Sequence, residues 1–307
     1  MLPTLRPGDE FVATDSRPAR RGEVVALVHP QRPDFWLVKR LTAVAGDISP
    51  AGPLGVGEAW VSSDRQGVDS DRFGPVPADR LMPMVSRLDP QTFREGLQLL
   101  SSEDRSLARI LEVHGEPGFW WRPPGFATLT LLIIEQQVSL ESAAAVYRRV
   151  AGALPITPEA MAELSPVTLG ELGVTRQKAG YVIGLAQSIQ SSEVDLDEIS
   201  RLDPDLAHRA LTSIRGIGPW TADAYLLSAL GHPDVFPVGD RALQVGAGET
   251  LGMETVPDQA ELELLSEAWR PLRAVAARLI WHGYLSARGR MEPVHDIGGY
   301  PARRVET

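Results

Sequence analysis

The stretch Ser213 to Leu227, "SIRGIGPWTADAYLL", constrains this chain more than any other. Gly216 and Gly218 flank Ile217, and Pro219 and Trp220 follow at once. Two glycines so close together permit a sharp reversal and strip Cβ atoms from its surface. Proline suits the first turn of a helix, where its missing N–H is no loss. The pattern predicts a helix, a tight hairpin and a second helix. That second helix presents its free N-terminal N–H groups outward, and such an end is a ready phosphate site that needs no strong net charge. An ordinary helix–helix turn uses glycine as freely, so "GIG" alone does not decide between the two.

The charge makes that distinction matter. The net charge of the 307 residues is −10. Up to residue 90 there are 11 basic and 12 acidic residues; beyond it there are 19 and 28. A chain that binds nucleic acid through bulk positive charge looks different. If the second part binds DNA, it does so through a local patch and backbone donors. The absence of cysteine excludes disulfides, thiolate metal sites and cysteine-held iron–sulfur clusters. No apolar run approaches the roughly 20 residues of a membrane helix, and "MLPTLRPGDE" lacks a signal-peptide core, so a cytoplasmic, membrane-free protein is expected.

The texture of the chain changes near residue 90. Before it, "EVVALVHP", "FWLVKRLTAVAGD" and "GEAWVSSD" read as short strands bounded by turn residues. After it the apolar spacing is helical. "TLTLLIIEQQVSLESAAAVYRRV" sets Leu129, Leu132, Ile133, Gln136, Leu140, Ala143, Ala144, Tyr147 and Val150 at three- and four-residue steps. Thr157-Pro158 and Ser165-Pro166 read as caps that open helices. The expected organisation is α+β: a small, mostly β domain over 1–90, an all-α domain over 91–290 and a loose tail over 291–307.

"LTSIRGIGPWTADAYLLSALGHPDVFPVGDRAL" resembles the helix-hairpin-helix DNA glycosylase superfamily, and most of all its 3-methyladenine DNA glycosylase II branch. The likeness runs from "ARILEVHGEPGFWWRPPGFATLTLLIIEQQVS" through "LGVTRQKAGYVIGLA" to "WRPLRAVAARLIWHGYL". It implies a base-excision enzyme acting as a monomer on double-stranded DNA with alkylated bases, with no organic cofactor or catalytic metal. A monovalent cation in the hairpin is an analogy that the residues do not show. Asp240 matches the family's catalytic aspartate. A carboxylate there suits the chemistry, because breaking an N-glycosidic bond builds positive charge on the sugar. Read without the family, Asp240 is a helix cap after Gly239. Trp220 stands where lyase members carry an amine nucleophile, which implies a monofunctional enzyme. Trp220 and Trp281 are candidates for stacking on an extruded base, with core packing as the plainer alternative. Gln136 and Gln137 interrupt an apolar helix and either reach the base pocket or cross-link loops. Arg215, Gly216, Ile217, Gly218, Thr221 and Lys178 are the candidate DNA contacts. The role of Tyr225 stays open.

"MLPTLRPGDE", "FWLVKRLTAVAGD" and "DSDRFGPVP" resemble the soluble core of type I signal peptidases and of nickel superoxide dismutase maturation proteases. Lys39 matches that family's lysine base. The family's nucleophilic serine would precede Met1, and Ser62-Ser63-Asp64 and Asp71 depart from its later motif. Either the true start lies upstream or Lys39 is a remnant in a domain without catalysis. A serine–lysine peptidase with an appended helical domain and a non-catalytic sensor of DNA damage are the competing readings. Peptide cleavage would mark the first, and DNA affinity without turnover the second.

Overall fold

The computed structural model of this chain describes residues 12–13, 18–63, 67–85 and 87–290. The chain divides into two compact units, Met1–Ser86 and Arg87–Thr307. The division falls slightly before the expected boundary at residue 90, for a local reason. Arg87 donates to the Ser200 carbonyl and the Leu88 N–H to the Gly231 carbonyl, so both residues are tied into the helical unit. The expected tail over 291–307 and Asp64 lie outside the described residues.

The first unit is built on eight described strands: β1 (Val12–Ala13), β2 (Val24–His29), β3 (Arg32–Ala43), β4 (Ile48–Ser49), β5 (Gly52–Pro53), β6 (Glu58–Ser62), β7 (Val76–Pro77) and β8 (Met82–Val85). Six form an antiparallel sheet in the order β1-β8-β2-β3-β6-β7, and β4 pairs with β5 alone. The β-branched and leucine residues that suggest strands also build the core: Val25, Leu27, Leu37, Leu41, Ala59, Val61, Val76 and Leu81. Lys39 lies opposite Val25 in the β2–β3 register and is half-buried.

The second unit is helical. Phe126–Glu135 has nine of its ten residues buried, as befits a helix that is apolar on every side. Thr157 and Ser165 cap their helices as the sequence suggests, accepting from the N–H groups of Ala160 and Thr168. One feature differs from the periodic reading. The run from Leu129 to Val150 is two helices, Phe126–Glu135 and Leu140–Ala153. Gln137 adopts φ 57° and Ser139 caps the second helix, which breaks the ladder between them. No described helix is long and apolar enough to cross a membrane.

Candidate active site and nucleic-acid interface

The hairpin joins two helices, Pro204–Ser213 and Pro219–Ser228. Asp203 caps the first and Gly218 is the N-cap of the second, with Pro219 in its first turn. No side chain covers the N-terminal N–H groups of the second helix, so they are free for an acceptor from outside. The two glycines do different work. Gly216 has φ +94°, and a Cβ there would lie 2.3 Å from Cγ of Tyr181. Gly218 has ordinary backbone, and a Cβ there would meet nothing within 4 Å. One glycine is demanded by the interior; the other leaves bare surface. A His208–Asp223 pair at 3.3 Å braces the two helices. The Asp223 hydrogen bond raises the His208 pKa above its usual value, and burial raises that of Asp223.

Gly216→Ala is expected to lower the melting temperature, because left-handed backbone alone costs roughly 1–3 kcal/mol and the Tyr181 ring must also move. Gly218→Ala is expected to melt close to wild type yet bind undamaged duplex DNA more weakly. Melting curves and a duplex titration of both variants check this. Equal behaviour of the two would contradict the division of roles.

Beyond the second hairpin helix the chain loops back to Asp240, the N-cap of the helix Arg241–Leu251. The loop is pinned from several sides. Arg270 and Arg273 pair with Asp234, the Arg273 guanidinium also donates to the Asp234 carbonyl, and the Gln244 amide donates to the Val238 carbonyl. The Asp240 carboxylate accepts three hydrogen bonds. Nε1 of Trp220 donates to Oδ2 at 2.8 Å. Nε1 of Trp281 donates to Oδ1 at 3.0 Å, and the Leu243 N–H donates to the same oxygen at 2.8 Å. Capping and gripping are therefore properties of one carboxylate, whose plane is set by an indole on each oxygen. Trp281, on the helix Arg273–Ser286, is buried, while Trp220 is half-buried.

Three of the sequence-derived DNA contacts, Ile217, Thr221 and Lys178, have side chains turned to the interior, and Gln136 takes the cross-linking alternative. Ile217 is buried, at 3 % exposure, and its N–H donates to the Ile214 carbonyl within the hairpin. Thr221 is buried at 1 %, and its hydroxyl accepts from the Gln136 amide at 3.0 Å. The same amide donates to the Gly216 carbonyl at 2.9 Å. Gln136 thus cross-links the end of the central helix, Phe126–Glu135, to the hairpin. Nζ of Lys178 donates to the carbonyls of Ile134 and Gln136 at 2.8 and 2.6 Å. It caps the C-terminal carbonyls of the central helix, a place where a cation is favoured. Burial lowers its pKa. Arg215 and Gln137 are exposed, and Gln137 holds strained backbone beside the hairpin-bound Gln136. Tyr225 is a core strut: it is fully buried, and its hydroxyl accepts from the Gly125 N–H at the start of the central helix. Burial pushes its phenol up to about 12.

Sequence reasoning missed a second layer. Trp120 meets Trp281 with ring centroids 5.5 Å apart and planes at 89°. Arg122 and Glu135 form a bidentate pair at 3.0 and 2.9 Å, both nearly inaccessible. The visible signals were three consecutive aromatics and an arginine in "FWWRPPGF", and one acid closing an apolar helix.

In the first unit, burial pushes the Asp69 carboxyl up, but N–H groups of Ser63 and Asp71 and the charge of Lys39 outweigh it, so its pKa lies below the usual value. The Ser62 hydroxyl bonds with Thr42, and that of Ser70 accepts from the Val61 N–H.

A helix-hairpin-helix module followed by a capped, indole-gripped aspartate is the core of this unit, and its fold is shared with solved DNA glycosylases. Among known proteins, residues 131–271 match the family model described as HhH-GPD superfamily base excision DNA repair protein. Over 123 residues the chain is 31% identical to the DNA-3-methyladenine glycosylase of Bacillus subtilis, covering 40% of this chain and 41% of that protein. The chain thus spans less than half the length of that curated relative. The crystal structure of a DNA-3-methyladenine glycosidase from Bacillus halodurans superposes with a TM-score of 0.54 at 28% identity, over 64% of this chain and 92% of that one. A relative of another kind is the mitochondrial inner membrane protease subunit 2 of Schizosaccharomyces pombe, 28% identical over 130 residues, 34% of this chain and 72% of that protein.

Proposed function

We propose that this protein is a monofunctional DNA glycosylase that excises alkylated bases from duplex DNA by hydrolysing the N-glycosidic bond. The observation that carries the reading is the Asp240 carboxylate, held by Trp220 and Trp281 just beyond the hairpin. As the base departs with the bonding electrons, the sugar gains oxocarbenium character, and a fixed carboxylate stabilises that charge. Water then adds to the sugar carbon, and its proton leaves to Asp240 or solvent. Trp220 is tied by its N–H edge and only half-buried, which leaves ring surface for an extruded, electron-poor base. The bare Gly218 surface, the uncapped N–H groups of Trp220 and Thr221 and the exposed Arg215 and Gln137 suit contact with the DNA backbone. The names of the relatives support alkylated bases as substrates. Release of free base from alkylated duplex DNA tests the reading.

The absence of lyase action has its own support. The chain holds two lysines, Lys39 and Lys178. The Lys178 amine is spent on two backbone carbonyls, and Lys39 belongs to the other unit. Lys178 is the one lysine among the described residues of the helical unit, and with its amine so engaged no Schiff base forms from that unit. Borohydride reduction during turnover is expected to trap no covalent protein–DNA adduct, and a trapped adduct that survives repurification would contradict this.

The protease-subunit similarity favours a separate reading for the first unit, a peptidase-derived fold.

A further inference from the structure

Trp120 lies outside the motifs that point to Asp240, yet it is the ring that Trp281 meets edge to face. It is fixed by two cations. The guanidinium carbon of Arg122 lies 4.8 Å from its ring centroid and that of Arg278 lies 5.2 Å away. Both arginines are buried and anchored: Arg122 by Glu135, in the last turn of the central helix, and Arg278 by the Gly118 carbonyl. An indole held against two anchored guanidiniums has few rotamers open to it. Trp281 in turn must keep one orientation if its N–H is to reach Oδ1 of Asp240.

We propose that Trp120 is a positioning residue for the reaction: it fixes the Trp281 indole so that its N–H holds the Asp240 carboxylate in place. Direct contacts run from Glu135 through Arg122, Trp120 and Trp281 to Asp240. This deepens the glycosylase reading and rests on it. Trp120 need not touch the base; its effect passes through Trp281.

The test uses full-length protein and a duplex carrying one alkylated base. Trp120→Leu is expected to slow single-turnover release by about tenfold or more, roughly 1.4 kcal/mol of barrier. Affinity for a duplex with a tetrahydrofuran abasic analogue should stay within about twofold, a few tenths of a kcal/mol. Trp120→Phe, which keeps an aromatic ring, should recover most of the rate. The decisive arm is a double-mutant cycle. In a Trp281→Phe background, Trp120→Leu should cost under about twofold, because the partner it acts through no longer has an N–H. An undiminished cost in that background would overturn the proposal. A second readout needs no activity. The Trp281 indole N–H resonance, assigned by its loss in Trp281→Phe, should shift and exchange faster with water in Trp120→Leu, and an unmoved resonance would also overturn the proposal. If wild type releases no base, the glycosylase reading fails, while the resonance still decides the positioning claim.

Discussion

Asp240→Asn is expected to lower single-turnover base release by about two to three orders of magnitude, the usual scale for removing one fixed electrostatic contact to a transition state. The structure adds detail to that expectation. An amide oxygen can still accept from the Leu243 N–H and from Trp281, so the helix cap survives. The amide nitrogen then faces Nε1 of Trp220, donor against donor, where Oδ2 now accepts at 2.8 Å. Trp220 should therefore loosen, with a modest fall in melting temperature and little change in affinity for duplex DNA. Release and binding measured on the same preparations separate the two effects. A rate within about tenfold of wild type, roughly 1.4 kcal/mol, would remove Asp240 from the mechanism.

Arg122→Met is expected to produce the largest loss of stability of any single change considered, about 3–5 kcal/mol, because it removes the bidentate cation from a buried carboxylate. The Arg122 and Glu135 side chains are 3% and 2% exposed, so neither has water as a substitute partner. The double change Arg122→Met, Glu135→Leu should regain most of that stability, since the cost is the unpaired charge rather than the lost attraction. Its base release should nonetheless stay low, because the guanidinium that holds Trp120 is gone. Urea unfolding of the two variants beside wild type checks the stability claim. Equal loss in the single and double variants would contradict it.

What could be read from the chain divides along one physical line. Caps, turns and strand texture act over a few residues, so Ser165, Thr157, the Gly216–Gly218 turn and the β-rich first unit follow from local chemistry. The family resemblance extends that to Asp240, Trp220 and Trp281, which the fold gathers within hydrogen-bond reach. Periodicity fails where a side chain is satisfied by a distant one. Gln136 finds the hairpin carbonyl of Gly216 80 residues away, and the Lys178 amine finds helix carbonyls 42 and 44 residues away. The sequence reads Lys178 as a DNA contact and leaves Gln136 between base pocket and loop cross-link, and the fold sets both against backbone. Ile217 shows another limit: an apolar residue at the hairpin tip packs inward, and its N–H closes the turn on the Ile214 carbonyl. Trp120 was hidden for a third reason, since an aromatic among aromatics carries no sign of the ring it meets across the fold.

The account stands or falls on one reaction. Wild-type protein in excess is mixed with a labelled duplex carrying a single alkylated base, and both products are followed: free base by chromatography, and the strand before and after alkali. The expectation is release of the intact modified base, a strand that breaks only on alkali, and loss of both signals in Asp240→Asn. A folded wild type that binds the duplex but releases no base, or a strand already cut without alkali after repurification, would contradict it.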